Sequence, residues 1–230
     1  MFSEANVALL QSIVQQDLLH AIFETLWYLS VLPAVIAFAV GLPLGILLVT
    51  GEENGVRPIP KWILSALNVI INVLRSVPFL ILLFVVLPIS RLLVGTTVGS
   101  RAMVAPLVIA AFPFIARLVE TSIREVDKGV MEAAQAMGAS PRQIVWKVLV
   151  PEARPALISN FMVALITIFG YGAMAGVLGG GGVGTIAVNY GYYRRRELVM
   201  YAMVILLILL VQLFQSVGNV ITKKSDKRIR

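Results

Sequence analysis

Five long apolar stretches separated by polar connections limit what this chain can fold into. They lie at about residues 22–50, 62–87, 102–119, 156–178 and 198–221. A helix of about 20 apolar residues crosses the hydrocarbon core of a bilayer. Of the 230 residues, 59% are hydrophobic and 13% are charged, with a mean hydropathy of +0.91. An average soluble domain is nearer half apolar and a quarter charged. So much apolar surface cannot be buried in a soluble fold of this size, so lipid is the main solvent. The expectation is an all-α integral membrane protein with five transmembrane helices. Residues 1–230 form a single transmembrane domain, with no room for a large soluble one.

The second stretch is not expected to be one straight helix, because it contains Arg75 and Pro78 and ends at Pro88. Residues 62–74 read as an interfacial piece, with the span starting near Ser76. The first stretch ends in the polar turn Gly51-Glu52-Glu53-Asn54-Gly55.

Lysine and arginine in the connections set the orientation. The 51–61 loop, the 117–155 segment and the tail from Lys223 to Arg230 together carry thirteen of them. The alternate connections carry five: Arg91, Arg101 and the triplet Arg194-Arg195-Arg196. That asymmetry places the C-terminus and the 117–155 segment in the cytoplasm and, with five spans, the N-terminus outside. The arginine triplet fits this topology worst. The basic tail reads as an anchor to anionic membrane lipid. A net charge of +7 spread this way is a topology signal, so no nucleic acid is expected as a partner. The chain has no cysteine, and its single histidine, His20, reads as an interfacial residue. No metal site is expected. The first twenty residues contain Glu4 and Asp17 and lack a basic start, so no cleavable signal peptide is expected.

The segment between the third and fourth spans, about residues 120–155, is polar and finely punctuated. Val130 to Met137 is rich in helix formers and stops at Gly138, a suitable residue just past a helix end. Ser140 then reads as an N-cap, Pro141 as the first helical residue and Gln143 as its capping-box partner. The second helix should run to about Leu149 and stop before Pro151. Glu120 and Arg124 are spaced to pair along one helix face. Two readings stay open on composition: an ordinary interfacial loop, or a docking knob. In the second, the short side chains of Ala133, Ala134 and Ala136 admit a partner surface, with Glu132 and Arg142 at its rim.

Glu132-Ala133-Ala134, then Gly138, then Pro151 resembles the EAA loop of binding-protein-dependent ABC importer permeases. Val150 stands where that family usually has Leu or Ile. The similarity extends to Arg75-Ser76-Val77-Pro78-Phe79, to Val94 through Gly99, to Pro113 through Arg117 and to Gly170 through Gly176. These look like the methionine-uptake branch, and the match covers roughly residues 20 to 222. The resemblance implies that residues 120–155 form a coupling helix received by a separate ABC ATPase subunit, with Glu132, Ala133, Ala134 and Gly138 in the contact. Pro151 would end the loop where the chain re-enters the membrane. It further implies a second copy of the chain forming the pathway as a homodimer, and an extracytoplasmic substrate-binding protein. The expected location is the bacterial cytoplasmic membrane. ATP and Mg would be bound by the partner ATPase, with no cofactor in this chain. The expected function is ATP-driven import of an amino acid, D- or L-methionine foremost, with another amino acid or small polar solute as the alternative.

No nucleophile–base pair suggests covalent chemistry, so no catalytic residue is expected. Gly179 to Gly184 satisfies G-x-G-x-x-G, but no strand precedes it and no Gly-Lys-Ser/Thr follows, so it reads as a flexible extracellular turn. The fourth stretch is rich in small residues. Gly172 and Gly176 allow close helix packing, either within the chain or, with Met174, at the dimer interface or pathway wall. Arg75 either snorkels to the cytoplasmic interface or lines the pathway as a gate charge. A rival class is an ion-coupled secondary transporter, which needs intramembrane carboxylates. Glu120 is the acidic candidate found near a span, and it sits at the end. A membrane enzyme would need paired carboxylates or a histidine cluster, which are lacking.

Overall fold

The computed structural model describes residues 4–225, and these are helical with no strand among them. The expectation for the tail residues Lys227, Arg228 and Arg230 lies outside the described residues. The helices are α1 (Glu4–Gln16), α2 (Leu18–Thr50), α3 (Lys61–Ser76), α4 (Phe79–Val94) and α5 (Ser100–Arg124). Then come α6 (Lys128–Ala136), α7 (141–152), α8 (Arg154–Ala175), α9 (182–193) and α10 (Glu197–Ser225). Four stretches are long and apolar enough to cross a membrane, and α3 with α4 make a broken fifth.

The break in the second stretch has a local cause. A residue before proline is pushed out of the helical region. Val77, before Pro78, is extended at φ −80° and ψ 126°, so α3 stops at Ser76. Pro43 and Pro88, by contrast, sit inside α2 and α4. The fifth stretch matches its expected limits closely, and the third is longer. The helix expected over 102–119 continues to Arg124, because residues 117–124 are helix formers that carry the polar face beyond the apolar part.

The chain divides into two compact units. The first comprises, of the described residues, 4–36, 78–111 and 165–216. Its core gathers Ile13 of α1, Ala21 of α2, Val183, Ile186 and Ala187 of α9, and Val199 and Met203 of α10. Phe79 stacks on Tyr171 with ring centroids 4.4 Å apart. The second unit comprises residues 37–77, 112–164 and, of the described residues, 217–225. There Leu48 of α2, Ile71 of α3 and Ala116 of α5 close a core, and Phe38 meets Phe161 edge-on. The chain passes from one unit to the other inside α2, α5, α8 and α10 and at the break between α3 and α4.

The glycine run is not the loose turn expected from the sequence. Only residues 179–181 are non-helical, and Gly182 to Gly184 form the first turn of α9. Side chains of α2 bind the helix start: Gly182 N–H donates to Glu24 Oε2 at 2.8 Å and Val183 N–H to Thr25 Oγ1 at 2.9 Å. Satisfying these first amides is what an N-cap does, here supplied from a distant helix.

Candidate functional site

In the second unit the segment after α5 folds as two short helices with built stops. Asp127 caps α6 by accepting from Gly129 N–H at 2.6 Å. The far end is a Schellman closure: Gly138 N–H donates to Gln135 O at 2.9 Å and Ala139 N–H to Ala134 O at 3.1 Å. Gly138 has φ +76°, which glycine adopts without the strain a side chain brings. The capping box of α7 is complete, with Gln143 N–H to Ser140 Oγ at 3.4 Å and Ser140 N–H to Gln143 Oε1 at 2.8 Å. Each piece of punctuation read from Gly138, Ser140, Pro141 and Gln143 is present.

Two details differ. Pro151 does not end α7, which runs on to Glu152 and breaks at Ala153. Residues Ile144–Leu149 form a π-turn, and Val150 N–H reaches back to Val145 O. A wider turn just before it lets a proline, which has no N–H to give, follow without a clash. The three short side chains also do not share one face. Ala134 is buried against the chain itself, whereas Ala133 and Ala136 are exposed. Glu132 lines a groove of about 740 Å³ beside the 49–56 loop. The outward face instead carries Met137, 81% exposed, and Trp146, 60% exposed. Sequence reasoning missed both. Both stand among other apolar residues of the segment, so no sequence signal set them apart.

This knob is tied to the helices around it. Arg124 donates to Glu52 Oε1 at 2.6 Å and to Glu120 Oε1 at 2.9 Å, so the expected i, i+4 pair is joined by the 51–55 turn. Arg117 bonds Glu120 Oε2 at 2.6 Å, Asn68 Oδ1 at 2.7 Å and Asn72 Oδ1 at 3.0 Å, linking α5 to α3. Asn160 of α8 donates to Ser122 Oγ at 2.8 Å. The half-exposed Arg124–Glu52 pair contributes about 0–1 kcal/mol. Arg75 ends α3, exposed, and shares a groove of about 400 Å³ with Arg117 and Glu120. Among the described residues no carboxylate lies within ion-pair distance of it. We expect Arg75→Ala to leave assembly and melting temperature unchanged and to alter the uptake rate. A variant that no longer assembles would make Arg75 structural.

In the first unit, Gly172 and Gly176 face the chain's own backbone. A Cβ on Gly172 would lie 2.5 Å from Leu29 O, and one on Gly176 would lie 2.5 Å from the Gly184 carbonyl carbon. Met174, between them, is 43% exposed, and Gly170 opens onto free space. Of the set singled out in α8, Met174 is therefore the side chain available to a ligand or a second copy.

The sequence reading overlooked Glu24. It lies inside α2, with a side chain only 17% exposed. It accepts from Gly182 N–H and from Ser100 Oγ at 2.8 Å. Glu120 is thus not the sole acidic residue near a span. Glu24's oxygens are engaged in holding α9 and α5, which suits a structural clamp better than an ion-coupling site.

Residues 41–230 match the family described as binding-protein-dependent transport system inner membrane component. The chain is 43% identical to the probable D-methionine transport system permease protein MetI of Vibrio cholerae, over 92% of this chain and 93% of that one. It is 44% identical to the methionine import system permease protein MetP of Bacillus subtilis, over 73% of this chain and 76% of that one. Its fold superposes on a chain of the inward-facing MetNI methionine ABC transporter with a TM-score of 0.89 and 38% identity, covering 98% of this chain and 100% of the other. An amino acid ABC transporter crystallised with histidines shares the fold at a TM-score of 0.71 and 18% identity.

Proposed function

The chain belongs to the binding-protein-dependent transport system inner membrane components, and from that premise we propose that it is the membrane subunit of an ATP-driven methionine importer. The observation that carries this reading is the exposed α6–α7 knob with its closed caps, on a chain whose relatives over most of its length are named for methionine transport. Two copies form the pathway. ATP and Mg²⁺ are bound by a separate ATPase, which receives the knob through Ala133, Ala136, Met137 and Trp146. Glu132, Ala134 and Gly138 shape that contact from behind: Gly138 closes α6, and Ala134 seats it.

The knob transmits force because it is continuous with α5 on one side and α8 on the other. Within the same unit, the Arg117–Glu120–Arg124–Glu52 network couples α5 to α3 and to the 51–55 turn. A push on α6 therefore moves these helix ends together instead of bending one. ATP-driven closure of the ATPases favours the outward-open arrangement, and release of products restores the inward one. The chain's own part is to hold two arrangements whose balance a partner shifts.

The ten described basic residues assigned to the cytoplasm fall in the second unit, and the five assigned outside fall in the first. The uneven spread of lysine and arginine along the sequence supports a cytoplasmic C-terminus and an outer N-terminus in the bacterial cytoplasmic membrane. The test is uptake of labelled methionine into vesicles holding the chain with its ATPase and binding protein. Accumulation should require ATP inside and be competed by unlabelled D- and L-methionine. Uptake driven by an ion gradient without the ATPase would overturn the proposal.

A further inference from the structure

The turn between α9 and α10 reads Tyr190-Gly-Tyr-Tyr-Arg-Arg-Arg-Glu197, and nothing so far uses it. We infer that it is a docking surface for an acidic face of the extracytoplasmic binding protein. The inference rests on the importer reading, which puts this turn outside.

The first argument is charge. Basic residues resist translocation, so outer connections are usually poor in them. Here three of the five outer lysines and arginines stand consecutively. Insertion gains nothing from that placement, so a function outside the membrane has to account for it. The charges are not cancelled internally either. Arg194 lies over the Tyr190 ring at 4.6 Å, and Arg196 donates to the Asn6 amide oxygen at 2.9 Å. Both partners are neutral. Among the described residues no salt bridge engages any of the three.

The second argument is preorganisation. Arg196 N–H bonds Tyr190 O at 3.1 Å and Arg195 N–H bonds Tyr192 O at 3.3 Å, closing the turn. Arg195 has φ +54°, the one non-glycine residue in the left-handed region among the described residues. Gly191 fits against Met200 with no room for a Cβ. A turn held this way avoids the backbone ordering cost on binding, and the Arg194 and Arg196 side chains are already placed by Tyr190 and Asn6.

The third argument is composition. Tyr192, Tyr193 and Tyr201 are 68%, 63% and 54% exposed around a hollow of about 540 Å³. Tyrosine and arginine dominate the energetic centres of protein interfaces. Lipid headgroups also attract both residue types, but they require no fixed geometry. The closed, strained turn therefore favours a protein partner.

The chain has no native cysteine, so Tyr192→Cys, assembled with a cysteine-free ATPase, gives one site per permease copy for a photo-crosslinker. In nanodiscs with the ATPase, it should capture the purified binding protein. Arg194→Glu with Arg195→Glu should weaken binding of labelled binding protein at least about tenfold, because facing like charges repel. Arg194→Gln with Arg195→Gln should fall between that variant and wild type. Wild-type affinity should drop as salt is raised, the doubly neutralised variant should lose most of that dependence, and the doubly reversed variant should bind better as salt screens its repulsion. Unchanged affinity in both double variants, or crosslinks only to lipid or to a second copy, would overturn this surface. A wild-type complex that binds no binding protein at any salt would overturn the importer reading, and this surface with it.

Discussion

Gly176→Val is expected to lower the melting temperature of the purified chain by roughly 6–12 °C, the shift about 3 kcal/mol produces at this size. At Gly176 a Cβ would meet the Gly184 carbonyl carbon at 2.5 Å and Thr185 N at 2.6 Å. Both are backbone atoms, so no flexible side chain can swing aside. Gly184 is equally confined, with Ala173 O 2.4 Å from where its own Cβ would stand. Nor can the start of α9 retreat, because Glu24 and Thr25 hold its first two amides. Overpacking a filled core costs about 1–3 kcal/mol where neighbours can adjust, and the fixed backbone here puts the cost at the upper end or beyond. Gly170→Val is the control, since that position opens onto free space and should melt within about 2 °C of wild type. Thermal melts followed by size-exclusion recovery in detergent separate the two. Equal melting of both variants would mean that α8 and α9 do not cross this closely.

How much of this was readable in advance depended on the range of the interaction. The membrane stretches followed from hydropathy alone, which sums over many residues and tolerates error at any one. The α6–α7 knob was legible in detail because its stops are local: Gly138 answers to Gln135, and Ser140 to Gln143, each three residues apart. The break at Val77 followed from one proline. Glu24 was different. Its partner Gly182 is 158 residues away, and a lone acid near the start of a span carries no local sign of what it caps. For the same reason α9 looked like loose glycine-rich chain: its first turn is held by α2, not by its own residues. Pro151 misled because the π-turn that admits it leaves no composition signature. The faces of Ala133 and Ala134 could not be told apart either, since identical side chains give no periodicity to read.

Ala133→Trp is expected to abolish uptake while leaving the chain folded. Ala133 is exposed on α6, so a larger side chain projects into solvent in the isolated permease. Exposed substitutions of this kind change stability by about 0.5 kcal/mol or less, roughly 1–2 °C in melting temperature. Under the function proposed above, the same ring would occupy the space the ATPase surface needs. Wedging an interface at its packed centre costs at least about 2 kcal/mol, close to a thirtyfold loss of affinity. Co-purified ATPase should fall accordingly, and uptake with it. Ala134→Trp separates position from size. Ala134 is 3% exposed within the knob, so there the ring must break the α6–α7 packing itself and lower the melting temperature. The two neighbours should therefore fail in opposite ways, one by losing its partner and the other by losing its fold. If Ala133→Trp retained the ATPase and transported at the wild-type rate, the exposed face of α6 could not be the surface through which ATP-driven motion enters this chain.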